Sequence, residues 1–285
     1  MSDPFAGIEV PAAGVGPAPP RFALNAATTR RWPMPELVAG CVAAGVRGVG
    51  LWREETAAYG LRRTAELCRG AGLPVTSLCR GGFFGADDWY DDNRRAIDEA
   101  AELGAPVLVL VSGGQDDRDL DGARARVGDA VGRLVPYALQ AGVTLAIEPL
   151  HPMFCADRCV VSTLGQALDL AEPYPAEAVG VVVDTYHVWW DDQVWAQIER
   201  AGRAGRIACF QLADWITPLP AGVLLGRGLP GSGCIDLGRF ATAVDAAGYT
   251  GPVEVEVFHE LVWQRPGAQV LAATVAGYRS AVGDR

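Results

Sequence analysis

Val181-Val182-Val183-Asp184-Thr185-Tyr186-His187 is a β-branched run that drives toward one carboxylate, with an imidazole three residues later. An apolar run of this kind reads as a strand buried on both faces, as in a parallel sheet. A carboxylate at the C-terminal end of such a strand is costly to bury unless a metal, a cation or hydrogen bonds compensate it. Asp184 could equally cap the turn that follows, accepting its backbone N–H groups. The segment alone leaves both readings open.

The same alternation extends in both directions. Strand candidates fall at 21–25, 46–52, 74–79, 107–111, 143–148, 179–184, 207–212 and 253–258. Helical spacing fills 35–44, 56–71, 88–103, 121–140, 163–171, 193–204, 236–247 and 266–280, several of these closed by glycine. The stretch 80–84 reads as a loop, and 214–233 as a long Gly/Pro-rich loop. Strands alternating with helices imply parallel β units with right-handed crossovers, and eight of them match the size of a (β/α)8 TIM barrel. A doubly wound open sheet is the alternative, weakened because no GxGxxG turn follows the first strand. The run Gly226-Arg227-Gly228-Leu229-Pro230-Gly231 follows a late strand and reads as an active-site loop. Residues 1–19, rich in Pro, Gly and Ala, are expected to form a loose arm, and 20–285 a single α/β domain.

Composition narrows the function. The chain has 285 residues, a net charge of −10, and is half hydrophobic. An acidic chain without clustered basic residues argues against a nucleic-acid partner. All 24 basic residues are arginine, so no Schiff-base lysine is available for aldolase or pyridoxal phosphate chemistry. The seven cysteines (41, 68, 79, 155, 159, 209 and 234) form no CxxC pair; Cys155 and Cys159 would need two further ligands to make a zinc site. Reduced, structural cysteines and the lack of a leader or membrane-spanning run give the expectation of a cytoplasmic protein with no membrane partner.

In a barrel, side chains at the C-terminal strand ends converge on the active site. Strand five ends at Glu148, strand six at Asp184, strand seven at Gln211, and strand eight carries Glu254 and Glu256. Each has a structural alternative: a turn for Glu148, a cap for Asp184, a satisfied core amide for Gln211, arginine partners for the glutamates. Together they make an oxygen-rich set that suits one divalent ion, Mn²⁺ or Mg²⁺, better than a Cys/His zinc site. Such an ion would polarise a hydroxy-ketone or hydroxy-aldehyde and stabilise an enediolate as a glutamate removes the neighbouring proton.

The stretches Leu145-Ala146-Ile147-Glu148-Pro149-Leu150, Asp184-Thr185-Tyr186-His187, Gln211-Leu212-Ala213-Asp214 and Val255-Glu256-Val257-Phe258 resemble, in order and spacing, the xylose-isomerase-like sugar isomerase/epimerase superfamily. The resemblance runs from about Phe22 to the last helix. It implies a metal held by Glu148, Asp184, Gln211 and Glu256, with Mn²⁺ first and Mg²⁺ or Co²⁺ as alternatives. It also implies Glu148 and Glu256 as the acid/base pair, and His187 as a group that orients substrate oxygens. Many members have histidine where this chain has Gln211; hydroxypyruvate-isomerase-like members have glutamine. Ketose epimerases place an arginine and a glutamate near where Thr217 and Phe154 stand, so a free ketose is not supported.

Trp52, Phe83, Phe84, Trp189, Trp190, Trp215 and Trp263 fall near strand ends and suggest an apolar-walled pocket. Arg53, Arg80 and Arg227 sit in the same loops, where they could bind phosphate or carboxylate or solvate the surface. Trp52, Arg80, His187, Trp215 and Arg227 are the substrate-binding candidates. The expected activity is a metal-dependent isomerase or epimerase of a small sugar-like molecule, with a homodimer or homotetramer as the compatible assembly. The alternatives are a lyase or dehydratase acting on a keto-sugar, inosose or keto-glycoside, or a non-catalytic barrel subunit of a hetero-complex.

Overall fold

Strand and helix alternate along the whole chain, of which the computed structural model describes residues 3–11, 14–115, 118–220 and 223–285. β1 (Phe22–Asn25) leads through a 3-10 turn, Ala26–Thr29, to α1 (Met34–Ala43) and β2 (Val49–Trp52). Then come α2 (Arg53–Tyr59), α3 (Leu61–Gly70), β3 (Val75–Gly82), α4 (Trp89–Leu103), β4 (Val107–Val111), α5 (Leu120–Ala141) and β5 (Thr144–Ile147). α6 (Leu164–Ala171), β6 (Val179–Asp184), α7 (Thr185–Val188), α8 (Val194–Arg203) and β7 (Ile207–Leu212) follow. The last third holds β8 (Asp214–Trp215), β9 (Arg227–Gly228), α9 (Leu237–Ala246), β10 (Val253–Val255), α10 (Glu260–Trp263) and α11 (Gly267–Val282). Eight of these strands close into a parallel barrel in the order β1-β10-β7-β6-β5-β4-β3-β2, while β8 and β9 form a separate antiparallel ribbon. The (β/α)8 expectation holds.

The chain contacts fall into two compact units. One comprises the chain up to Thr76 with Gln211–Thr242 and Gly251–Arg285. There β1 lies between β10 and β2, with Leu24 opposite Val255 and Asn25 opposite Gly50. Phe22 meets Tyr278 of α11 edge-on at 5.2 Å, both rings fully buried. The helix expected over 56–71 is broken at Gly60, whose φ of +106° no helix can accommodate, so α2 and α3 are separate. β10 ends at Val255 because Thr28 takes over its pairing: the Thr28 hydroxyl donates to Val255 O (3.0 Å) and accepts from Val257 N–H (2.9 Å). Within the first nineteen residues, Pro4 O accepts from Leu229 N–H (3.1 Å), Phe5 lies under the Arg265 guanidinium, and Arg279 donates to Val15 O and Pro17 O. Residues 1–2, 12–13 and, in the 214–233 loop, 221–222 lie outside the described residues.

The other unit, Ser77–Phe210 with Ala243–Thr250, carries β4, β5 and β6 in register, Leu110 opposite Ile147 and Ile147 opposite Val181. Every residue of β4 and β6 is buried, as continuous apolar strands require when both faces are covered. β3 runs on through Arg80-Gly81-Gly82, which the sequence reads as loop. Asn93 of α4, wholly buried, holds that end: its side chain accepts from Gly82 N–H (2.6 Å) and donates to Gly82 O (2.8 Å) and Trp89 O (2.7 Å). A side-chain clamp thus supplies the order that two glycines lack. Among the described residues no helix is long and apolar enough to cross a membrane.

Candidate metal centre and active site

Asp184 closes β6 and is fully buried. Its two oxygens have separate surroundings. Oδ1 accepts from Tyr186 N–H at 2.8 Å and caps α7, while Oδ2 lies 3.8 Å from His187 Nε2. Glu148 stands one residue beyond β5, its N–H still paired to Leu110 O (3.0 Å). Glu148, Asp184 and His187, all buried, each offer one ligand atom within 4.8 Å of the others. Two carboxylates that close, and that far from water, call for positive charge between them.

The ring of His187 has a defined tautomer. Its Nδ1 accepts from His151 N–H (3.2 Å), so in the neutral ring the proton sits on Nε2, the nitrogen nearest Asp184. A ring held in this way presents an N–H donor rather than a lone pair, which suits a group that orients an oxygen better than a metal ligand. Phe154 and Tyr186 meet it edge-on at 5.7 and 5.3 Å. Phe154 thus puts a buried apolar edge against the imidazole. Cys159 belongs to the support: its buried thiol contacts Ser112 Oγ (3.2 Å) and donates toward Val161 O (3.2 Å), and burial pushes its pKa up. All seven cysteines are free thiols.

In the other unit Glu254 of β10 and Glu256 just beyond it have different surroundings. Glu254 lies deeper and accepts from Asn25 Nδ2 (2.7 Å), Thr76 Oγ1 (2.8 Å) and Gln211 Nε2 (3.0 Å). Gly50 makes room for it, since a Cβ there would fall 2.4 Å from Glu254 Oε1. The bond to Glu254 fixes the Gln211 amide, because only its NH₂ can face a carboxylate. Gln211 Oε1 is left buried without a hydrogen-bond partner among the described residues. A buried, unused amide oxygen is the feature expected of a hard-cation ligand.

Glu256, next after β10, is fixed by Arg227: Nη1 donates to Oε2 at 2.8 Å and to Glu256 O at 3.2 Å. Both side chains are about 4% exposed, and the guanidinium lies over the Phe258 ring at 5.1 Å. Arg227 is therefore buried on a glutamate rather than solvated on the rim. The β8–β9 ribbon places it, pairing Arg227 with Trp215, which is also buried. Asp214 anchors that ribbon, accepting from the N–H groups of Trp215, Gly231, Gly233 and Ile235 at 2.8–3.0 Å. Burial pushes the Asp214 carboxyl up, while these four bonds pull it down.

Trp52 donates Nε1–H to Asn25 Oδ1 (2.9 Å) and packs on Phe258, which in turn meets Trp263. Arg80 lies over the Phe83 ring at 4.0 Å, half-buried at the end of β3. The supporting roles of Asn25, Thr76, Asp214 and the His151 N–H escape sequence reasoning. Only Asp214 carries a signal, an acidic residue after a strand followed by a glycine-spaced loop.

His259 caps α10, which carries Trp263, by accepting from Leu261 N–H at Nδ1 (3.1 Å). Burial holds its pKa below the ordinary 6.5, against the nearby Glu260 and Asp3, which raise it. The unfolded chain therefore takes up this proton first. The cap's contribution is full above the ordinary value and drains away as the pH falls below it. Urea midpoints should fall between about pH 7.5 and 5.5 by more in wild type than in His259→Asn, where a non-titrating cap remains.

A family model described as xylose isomerase-like TIM barrel matches residues 38–279. The chain belongs to this family. Among its relatives, 3-dehydroshikimate dehydratase of Pseudomonas aeruginosa is 28% identical over 243 residues, covering 80% of this chain and 36% of that protein. Inosose isomerase of Halalkalibacterium halodurans is 27% identical over 172 residues, covering 59% of this chain and 58% of the relative. The chain thus spans about a third of the one and little over half of the other. A crystal structure of a protein from Sinorhizobium meliloti 1021 superposes with a TM-score of 0.89 at 44% identity, covering 92% of this chain and 98% of that one. The two named relatives of this xylose isomerase-like barrel are enzymes, one a dehydratase and one an isomerase.

Proposed function

We propose that this protein is a divalent-metal-dependent isomerase or epimerase of a sugar-like hydroxy-carbonyl compound. The observation that carries the reading is the buried cluster of Glu148, Asp184 and His187. Glu148 and Asp184 would hold the ion, with Gln211 Oε1 and Glu256 as further ligands. Carboxylate and amide oxygens favour Mn²⁺, with Mg²⁺ or Co²⁺ as alternatives. When bound, the ion supplies Lewis-acid polarisation of the substrate carbonyl. The protein's own groups do the rest. Glu148 and Glu256 take and return the proton at the carbon beside the carbonyl. His187 donates Nε2–H to a substrate oxygen. Arg227 keeps the Glu256 carboxylate pointed in one direction, and Trp52 and Trp215 wall the sugar ring.

A second reading, a dehydratase, is favoured by the similarity to 3-dehydroshikimate dehydratase over four fifths of the chain. It shares the proton abstraction and differs only in expelling a β-hydroxyl. Product mass separates the two. With Mn²⁺ and an inosose or 3-dehydroshikimate, an isomerase or epimerase gives a product of unchanged mass, and a dehydratase one lighter by a water. A lighter product overturns the first reading in favour of the second.

A further inference from the structure

A cavity of about 290 Å³ opens between the 3-10 turn after β1 and the start of α11, sharing no lining residue with the candidate metal ligands. Its wall includes Thr29, Arg31, Trp32, Glu36, Arg265 and Gly267. Thr29 is only 4% exposed, and its Oγ1 is buried with no hydrogen-bond partner among the described residues. The contrast with its neighbour is sharp, since the Thr28 hydroxyl both donates and accepts. A buried hydroxyl left unpaired is unfavourable, so such groups are normally met by water or ligand.

The other groups on the wall are mostly donors. Arg31 and Arg265 are exposed, and neither lies within ion-pair distance of a carboxylate among the described residues. Pro266 stands at the N-cap of α11, a helix of 16 residues, and gives it no side-chain cap. Gly267, the first residue of that helix, lines the cavity, so the helix start and its positive dipole end border it. Among the described residues Glu36 is the one carboxylate on the wall, which leaves two positive charges against one negative.

We propose that this cavity is a second binding site, for the phosphate group of a small phosphorylated molecule. Two guanidinium forks, an uncapped helix start and an unused hydroxyl match a tetrahedral oxyanion, and the volume leaves room for carbon atoms attached to it. Trp263 also lines the cavity and packs on Phe258, over which the Glu256-bound Arg227 lies, so the cavity borders the aromatic support of Glu256.

The test is calorimetric titration of the full-length protein with inorganic phosphate. One saturable site is expected, weakened about tenfold in Arg31→Ala and in Arg265→Ala, weakened in Thr29→Val, and tightened in Glu36→Gln. The Glu148→Gln variant should bind as wild type. Both arginines are exposed, so their variants should melt as wild type does, which keeps the comparison one of binding. No saturable binding, binding that survives in the double arginine variant, or binding lost in Glu148→Gln would each overturn the proposal.

Discussion

Glu148→Gln is expected to slow deuterium wash-in beside the carbonyl of an inosose by about 10³-fold, the range a positioned general base supplies. Glutamine keeps the volume and one oxygen but can neither take the proton nor contribute charge beside Asp184. The measurement is mass spectrometry of the recovered compound after incubation in heavy water with Mn²⁺. Bound metal is counted on the same samples. Wash-in lost with metal retained identifies Glu148 as the base. Wash-in and metal lost together make it a ligand first. Wash-in at the wild-type rate removes Glu148 from the chemistry.

Glu254→Ala is the change expected to cost most stability. It strands the buried Asn25 and Gln211 amides and the half-buried Thr76 hydroxyl at once. At about 1 kcal/mol or more for each donor left unpaired, the loss is about 3 kcal/mol or greater. For a chain of this size that lowers the melting temperature by at least about 6 °C. Glu254→Gln, which keeps one acceptor oxygen, should recover part of it. The substitution also frees Gln211 to turn its amide, so Mn²⁺ affinity should fall although Glu254 is no ligand. An unchanged melting temperature would show that water replaces the carboxylate and that the network does not hold the amide.

How much of this was legible in the sequence depended on the range of the forces involved. β6 and β7 follow the sequence reading residue for residue, because a β-branched run bounded by polar residues carries its own ends. The end of β3 did not, since Gly81 and Gly82 have no strand preference and their order comes from Asn93, eleven residues on. The β8–β9 ribbon reads as loop for a similar reason: two-residue strands carry no periodicity, and their pairing depends on Asp214 gathering four N–H groups, three of them from beyond β9. Its loop setting therefore points Arg227 to the rim, whereas the ribbon buries it on Glu256. Glu254 and Glu256 point to the same face of one strand, so alternation could not separate them. Asn25 and Thr76 do so by coming from other strands to occupy Glu254. The sequence leaves Asp184 open as cap or ligand; in the structure Oδ1 caps α7 and Oδ2 lies 3.8 Å from His187 Nε2.

The central claim is that a divalent ion is held by Glu148 and Asp184. Its most direct test is calorimetric titration of the metal-stripped protein with Mn²⁺, compared with Asp184→Asn. One ion per chain is predicted, with affinity reduced by about 100-fold or more in the variant, where a ligand charge is lost but an amide still caps α7. Equal binding by wild type and Asp184→Asn, or no binding by either, would contradict the account.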